Sequence, residues 1–184
     1  KRWASETRPL SGDYDRLIDA IRRIAEGAGK YGLRVVVENN RAYWEGVPDD
    51  QPADEVDRDA QNDYFGIEPE EWAGIQRDVD RPNVFLCLDT SHACTHTQTV
   101  TDPAEREDMM FRYLDAGDGL RHFHWNGNDL QTTAGRQDKH FSLHEDNFPD
   151  DLHARIKSWE GTHLLEHWYS EEALTQELAF IDGL

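Results

Sequence analysis

Lysine and cysteine are scarce in this chain of 184 residues. The only lysines are Lys1, Lys30, Lys139 and Lys157, and the only cysteines are Cys87 and Cys94. Two cysteines do not form the disulfide framework of a small secreted domain. Cys87 lies in an apolar run typical of a buried thiol, so we expect a reducing compartment, the cytoplasm. No apolar run approaches the roughly 18 residues of a transmembrane helix, and we predict no membrane partner.

Positive charge is also scarce. The chain has 19 Lys and Arg against 38 Asp and Glu, a formal net charge of −19. This balance disfavours a nucleic-acid partner, because phosphate binding requires an excess of Lys and Arg. Asp supplies 22 of the acids, and evenly spread Asp with Arg preferred to Lys is typical of a salt-adapted surface. The alternative is an ordinary acidic cytosolic protein.

Aromatic residues, in contrast, are plentiful, with 6 Trp, 6 Tyr and 7 Phe. Their number argues against a disordered chain, and the length suits one core, so we predict a single domain over residues 1–184. Four apolar runs predict strands at 33–38, 84–88, 120–125 and 162–165, the first of them buried. Helical patterns lie between these runs. Such alternation predicts an α/β fold with a parallel sheet and crossover helices.

Helix boundaries follow from capping residues. The first helix should start near Tyr14, with Ser11 or Asp13 as its cap, and stop at Gly32. A helix is expected from Asp102 to Gly117, and the last helix should follow Ser170 with one apolar face. That face consists of Leu174, Leu178 and Ile181. The acidic segment 46–66 lacks helical periodicity and contains Pro52, so we predict an exposed acidic loop within the domain.

Polar side chains stand at the carboxyl end of each predicted strand. Glu38, Asp89, His124 and Glu166 follow four successive apolar runs. Any one of them alone is explained as a helix cap or a loop charge. Four together predict a site, because functional groups gather at this edge of a parallel sheet. Two Glu, one Asp and one His suit a divalent cation: Mn²⁺, Mg²⁺, Co²⁺ or Zn²⁺.

Four motifs resemble the last four strand ends of the xylose isomerase-like TIM barrels. They are VVEN (36–39), CLDTSH (87–92), HFHWN (122–126) and LLE (164–166). The resemblance implies a (β/α)8 barrel of which this chain supplies the second half, since a whole barrel has eight strands. The first four strands would come from residues preceding Lys1 or from a partner chain, and a homo-oligomer is a further expectation.

The resemblance also implies roles for single residues. Glu38, Asp89, His124 and Glu166 would hold the metal, and His92 would contact substrate oxygens or a second metal. HFSLHE (140–145) resembles a loop of the family, with His144 in place of its usual Gly. The remaining candidates for substrate contact are Asn39, Trp125, Arg136 and His140, with Trp168 as a second apolar wall.

Sugar chemistry is the leading interpretation. A metal-dependent isomerase or epimerase acts on a sugar or sugar phosphate by moving a proton next to a metal-polarised carbonyl. Glu38 and Glu166 would exchange the proton, and His92 would steady the developing oxyanion. A related sugar or inositol dehydratase is one alternative.

A hydrolase of the endonuclease IV type is the other alternative. These AP endonucleases use several zinc ions, and their carboxyl half carries Glu, Asp-x-x-His, His, Asp-x-His and Glu. This chain has matching residues in the same order: Glu38, Asp89, His92, His124, Asp138, His140 and Glu166. The acidic charge opposes DNA binding. A non-catalytic assembly subunit is disfavoured by the intact ligand set.

Salt adaptation predicts that KCl stabilises the fold. Screening weakens the mutual repulsion of the excess acids, so the midpoint of thermal unfolding should rise with KCl. Each kcal/mol gained shifts the midpoint by about 2–4 °C in a domain of this size. Thermal scans in increasing KCl measure the effect, with glucose at equal osmolality as the control. A midpoint that does not respond to KCl would contradict salt adaptation.

Overall fold

The computed structural model describes residues 12–57, 64–115, 117, 119–167 and 170–184. Strands and helices alternate along them. The strands are β1 (Val35–Glu38), β2 (Val84–Asp89), β3 (Leu120–His124) and β4 (Thr162–Leu164). The α-helices are α1 (Asp13–Gly29), α2 (Pro69–Val79), α3 (Thr90–Thr97), α4 (Pro103–Asp115), α5 (Asp150–Lys157) and α6 (Glu171–Gly183). None of the helices in the described ranges is both long and apolar enough to cross a membrane.

The strands form one parallel sheet in the order β1-β2-β3-β4. Neighbouring parallel strands must be joined by a crossover, which the intervening helices supply. In register, Glu38 lies beside Cys87, and Asp89 lies beside His124. The carboxyl ends of the strands therefore reach one edge, and the predicted α/β fold with a parallel sheet is confirmed.

The main core lies between one face of the sheet and the helices that follow β1. Its largest fully buried side chains include Trp72 of α2, Tyr113 of α4 and Phe123 of β3. The Trp72 indole donates a hydrogen bond to the Val37 carbonyl at 2.9 Å, which attaches α2 to β1. Truncating a buried aromatic of this kind costs about 3–5 kcal/mol. This packing holds the sheet rigid beneath the site.

The two ends of α1 differ from the prediction. Asp13 is the first helical residue, and Gly12, with φ of 85°, occupies the cap position without a side-chain cap. The Asp13 cap is therefore wrong, and Ser11 lies outside the described residues. The helix ends at Gly29 rather than Gly32. Gly32 has φ of 69°, so it belongs to the turn into β1, where a residue without Cβ adopts this conformation readily.

The prediction that β1 is buried is wrong. Val36 is 42% exposed, and Leu33 just before the strand is 58% exposed. β1 is an edge strand, and its alternate residues Val36 and Glu38 are exposed on the inner face of the sheet, which lies opposite the helices. The other edge strand, β4, is exposed along its whole length. A sequence run of Val and Leu predicts a strand but does not show whether both of its faces are covered.

The predicted apolar face of α6 is also wrong in part. Ser170 caps the helix by accepting a hydrogen bond from the Ala173 amide at 3.1 Å, as predicted. Leu178, however, is 49% exposed, and the fully buried side chain is Glu177. Phe180 and Ile181 pack against the core from the same helix. The helix is rotated so that a carboxylate faces inward, where a polar partner receives it.

In the acidic segment 46–66, the acids among the described residues are exposed, while other side chains anchor the segment to the protein. Ala53 and Val56 are buried in a small cluster with Trp44, and residues 53–55 form a 3-10 turn. Arg136 donates to the carbonyls of Pro48 at 3.1 Å and Gln51 at 2.7 Å. Its guanidinium also lies 4.4 Å from the Trp44 ring centroid. Residues 58–63 of this segment lie outside the described residues.

Candidate functional site

Four chemically active side chains meet at the carboxyl edge of the sheet. Glu38, Asp89 and His124 are the last residues of β1, β2 and β3, and Glu166 lies two residues beyond β4. Parallel pairing in register brings such ends together. One ligand atom from each of the four lies within 4.8 Å of the others. The structure thus places side by side the residues that the strand ends predicted.

His124 lies at the centre of this group. Its Nδ1 is 2.7 Å from Glu38 Oε1, 3.1 Å from Glu166 Oε2 and 3.8 Å from Asp89 Oδ2. The hydrogen bond with Glu38 raises the pKa of His124 against the effect of burial. Burial favours the neutral form of Glu38, but the His124 hydrogen bond and the charges of His92 and His124 together outweigh it and lower the pKa of Glu38. Three carboxylates around one imidazole form a strongly cation-attracting site.

Asp89 is the buried member of the group, with no exposed surface. It is the N-cap of α3, and its Oδ1 accepts a hydrogen bond from the His92 amide at 2.9 Å. Its backbone is clasped by the Asn39 side chain, which accepts from the Asp89 amide at 2.6 Å and donates to the Asp89 carbonyl at 3.0 Å. Burial raises the pKa of this carboxyl. Three hydrogen bonds within the protein therefore fix the position of Asp89.

A second group of donors shares Asp89. It adds His92, Asp138 and His140, again with all ligand atoms within 4.8 Å. His92 Nε2 lies 3.2 Å from Asp138 Oδ2, and His140 Nε2 lies 3.0 Å from Asp138 Oδ1. Burial lowers the pKa of both rings, but Asp138 and the charge of Asp89 outweigh it and raise each pKa to about 9. The long loop after β3 thus returns its Asp-x-His segment to the sheet edge.

The residues present fit a divalent cation. His140 Nε2 is buried and, despite the nearby Asp138 oxygen, has no partner aligned for a hydrogen bond. His140 also has φ of 49°, a left-handed conformation that costs a residue with a side chain some strain. Such strain is commonly retained where a side chain must be aimed at a site. Carboxylate oxygens with imidazole nitrogens are donors for Mn²⁺, Mg²⁺, Co²⁺ and Zn²⁺.

Comparison with known families now identifies the fold. A sequence model described as xylose isomerase-like TIM barrel matches residues 2–184. The chain belongs to the xylose isomerase-like TIM barrel family. Its four parallel strands are part of such a barrel, as the motifs implied. A search of curated protein sequences gave no match.

Solved structures share this fold at low sequence identity. A D-tagatose 3-epimerase-like protein aligns with TM-score 0.59 and 20% identity, over 92% of this chain and 56% of its own. D-psicose 3-epimerase in the presence of D-fructose aligns with TM-score 0.56 and 16% identity, over 95% and 57%. The probable 3-DHS dehydratase AsbF of Bacillus anthracis aligns with TM-score 0.53 and 13% identity, over 97% and 58%. The chain therefore spans a little over half the length of these structures.

Within this candidate site, Asn126 bonds two of the candidate ligands, a contact that the sequence alone did not reveal. Its Nδ2 donates to Asp89 Oδ2 at 3.1 Å, and its Oδ1 accepts from the Glu166 amide at 2.9 Å. His167 Nδ1 lies 3.2 Å from the same Oδ1, and His167 Nε2 lies 2.9 Å from Glu177 Oε2. This buried network connects α6 to two candidate ligands. The available signal was an acid, Glu177, among the apolar residues of α6.

Two predicted substrate contacts lie away from the candidate site. Trp125 is 3% exposed and packs in the core, where its indole donates to His153 Nδ1 at 3.1 Å. It follows His124 directly, so its side chain points to the opposite face of the sheet. Arg136 anchors the acidic segment instead. Asn39 is at the site, but its side chain forms hydrogen bonds with the Asp89 backbone. Trp168 lies outside the described residues.

The Asn126 network predicts a loss of metal affinity on truncation. Asn126→Ala frees the Asp89 carboxylate and the Glu166 backbone, so Mn²⁺ binding should weaken by about 10–100-fold, as for other outer contacts of metal ligands. Isothermal titration with Mn²⁺ measures it. Asn83→Ala is the matched control, because the Asn83 side chain donates to the Ala25 and Leu33 carbonyls at the other end of β2. Equal affinity in the two variants would refute the positioning role.

Proposed function

We propose that the protein is a divalent-metal-dependent isomerase or epimerase of a sugar or sugar phosphate. The observation that carries the proposal is the convergence of three carboxylates and one imidazole at the sheet edge. Glu38, Asp89, His124 and Glu166 would hold the cation. Membership of the family and the epimerases among its structural neighbours support a sugar as substrate.

The exposure of the carboxylates divides their roles. A bound divalent cation supplies an electrophile that polarises the sugar carbonyl. The side chains of Glu38 and Glu166 are 38% and 47% exposed, whereas that of Asp89 is fully buried. Only the two glutamates can therefore reach a substrate above the sheet edge. One takes the proton from the carbon beside the carbonyl, and the other returns it.

His92 stands next to this pair. Its Nδ1 lies 3.8 Å from Glu38 Oε1 and donates a hydrogen bond to the Asn39 carbonyl at 3.0 Å. A ring held in this way is oriented before substrate arrives, so it stabilises negative charge developing on a substrate oxygen without reorganising. His140, held by the Glu166 carbonyl at 2.8 Å, is the proposed second contact to the substrate.

The proposed enzyme also needs further strands beside its open sheet. The outer edges of β1 and β4, the first and last strands of the sheet, pair with no strand among the described residues. We propose that further strands of the barrel, from the same polypeptide or from a partner chain, cover them. The reducing cytoplasm suits the two buried free thiols.

Proton transfer predicts solvent deuterium in the sugar. With Mn²⁺ in D₂O, the protein should introduce deuterium at the carbon beside the carbonyl of a ketose such as D-fructose. Glu166→Gln removes a ligand and a proton carrier, so exchange should fall by about 10²–10⁴-fold. Nuclear magnetic resonance follows the exchange. Glu160→Gln, at an exposed surface position, is the matched control.

The products separate the isomerase or epimerase from a dehydratase. A dehydratase would also remove a proton beside a carbonyl, but it would release water and form a product of lower mass. Mass spectrometry of the same reactions distinguishes the two. Retained exchange in Glu166→Gln would refute the assigned role of that residue.

The second donor group favours an alternative, an endonuclease of the multi-zinc type. Asp89 is shared by two groups that together contain seven oxygen- or nitrogen-donating side chains. Several zinc ions at such a cluster would activate water for phosphodiester cleavage. The net charge of −19 opposes this alternative.

The metal content separates the two functions. The sugar enzyme predicts one metal ion per chain, and the endonuclease predicts two or three. Mass spectrometry of the purified protein counts them, and a duplex with one abasic site tests cleavage directly. Two or more zinc ions with strand cleavage would replace the sugar proposal. A protein that neither contains nor binds Mn²⁺ or Zn²⁺ would refute both.

A further inference from the structure

A second layer of potential ligands lies below the carboxylates on the inner face of the sheet. Side chains alternate along a strand, so Cys87 shares the face of Asp89, and His122 shares the face of His124. Cys87 and His122 are also direct neighbours in the β2–β3 register. The parallel pairing therefore stacks a thiol and an imidazole one step beneath the carboxylate-rich group.

These two side chains form a donor set with His124. One ligand atom from each of Cys87, His122 and His124 lies within 4.8 Å of the others. The His122 ring is oriented by its Nδ1, which lies 2.6 Å from Thr162 Oγ1. A hydrogen bond from one ring nitrogen is the usual way in which a metal-binding histidine is held, leaving the other nitrogen for the ion.

The chemistry of this set differs from that of the edge site. Thiolate and imidazole are soft or borderline donors that suit Zn²⁺, Co²⁺ and Cd²⁺, whereas carboxylate oxygens suit Mn²⁺ and Mg²⁺. A thiol that coordinates a cation is deprotonated, and its proton leaves to solvent.

We propose that Cys87, His122 and His124 form a binding site for a thiophilic divalent cation, separate from the carboxylate-rich group. Because His124 belongs to both groups, an ion in the lower site takes a ligand from the upper one. Zn²⁺ or Cd²⁺ would then displace Mn²⁺. Binding at the lower site stands on its own, and only the resulting inhibition of turnover rests on the proposed function.

Cobalt reports directly on a thiolate ligand. Titration of the full chain with Co²⁺ should produce the near-ultraviolet charge-transfer band of a cobalt–thiolate bond. Cys87→Ser and His122→Gln should each abolish or strongly reduce this band. Cys94→Ser is the matched control, because Cys94 is equally buried but belongs to none of the donor groups found among the described residues. It should leave the band unchanged.

The outcomes separate this site from the catalytic proposal. Glu166→Gln should weaken Mn²⁺ binding, followed by electron paramagnetic resonance, and leave the cobalt–thiolate band intact. In the unaltered protein, Cd²⁺ should release bound Mn²⁺. No thiolate band, or a band lost in Cys94→Ser instead of Cys87→Ser, would overturn the site. Simultaneous binding of Cd²⁺ and Mn²⁺ would overturn the sharing of His124. His122 is partly exposed, so His122→Gln keeps the test valid if Cys87→Ser does not fold.

Discussion

The buried carboxylate of Asp89 belongs to both donor groups at the carboxyl edge of the sheet. Removing a carboxylate from water is costly unless hydrogen bonds replace the lost solvation. Here the His92 amide and the Asn126 side chain bond its two oxygens, while Asn39 holds its backbone. The Asp89 carboxylate is therefore held in place and does not turn to solvent. Under the proposed function, the exposed glutamates act beside this fixed carboxylate.

The parallel sheet arranges the potential ligands in two layers of different chemistry. At the edge, oxygen donors dominate, and one step lower a thiol and an imidazole occupy the same face. The two layers differ in the cations that they suit, although a single histidine belongs to both. Selection between hard and thiophilic ions would then depend on position along the strands as well as on the available metal. The acidic surroundings attract divalent cations of either type.

Contacts from outside the sheet determine how precisely the edge residues are held. The loop after β3 brings Asp138 and His140 back to Asp89, and α6 reaches the site through Glu177, His167 and Asn126. These contacts join residues far apart in the chain, such as His140 and Asp89. Ordering these segments costs chain entropy, and the packing of the core on the other face of the sheet offsets that cost.

Much of the site was predictable, because strand ends follow from local patterns. Apolar runs ending in Glu38, Asp89, His124 and Glu166 predicted both the strands and the edge at which they meet. The orientation of Trp125 could also have been predicted, because side chains alternate along a strand and Trp125 directly follows the inward-facing His124. The rotation of α6 could not be predicted in this way. The buried Glu177 carboxylate requires His167 and the Leu143 amide as partners, and tertiary packing brings these groups to it.

The sequence by itself determined the order of the elements, the family and the types of donor at the strand ends. The order of the elements depends on neighbouring residues and on a periodicity of two or 3.6 residues. The family resemblance depends on the motifs at the four strand ends. Only the tertiary structure decided that Arg136 anchors a loop, that Asn126 links two ligands, and that Cys87 lies beside His122. Those contacts depend on sheet register and on loop return, which no local pattern encodes, because they are set by packing between segments distant in the chain.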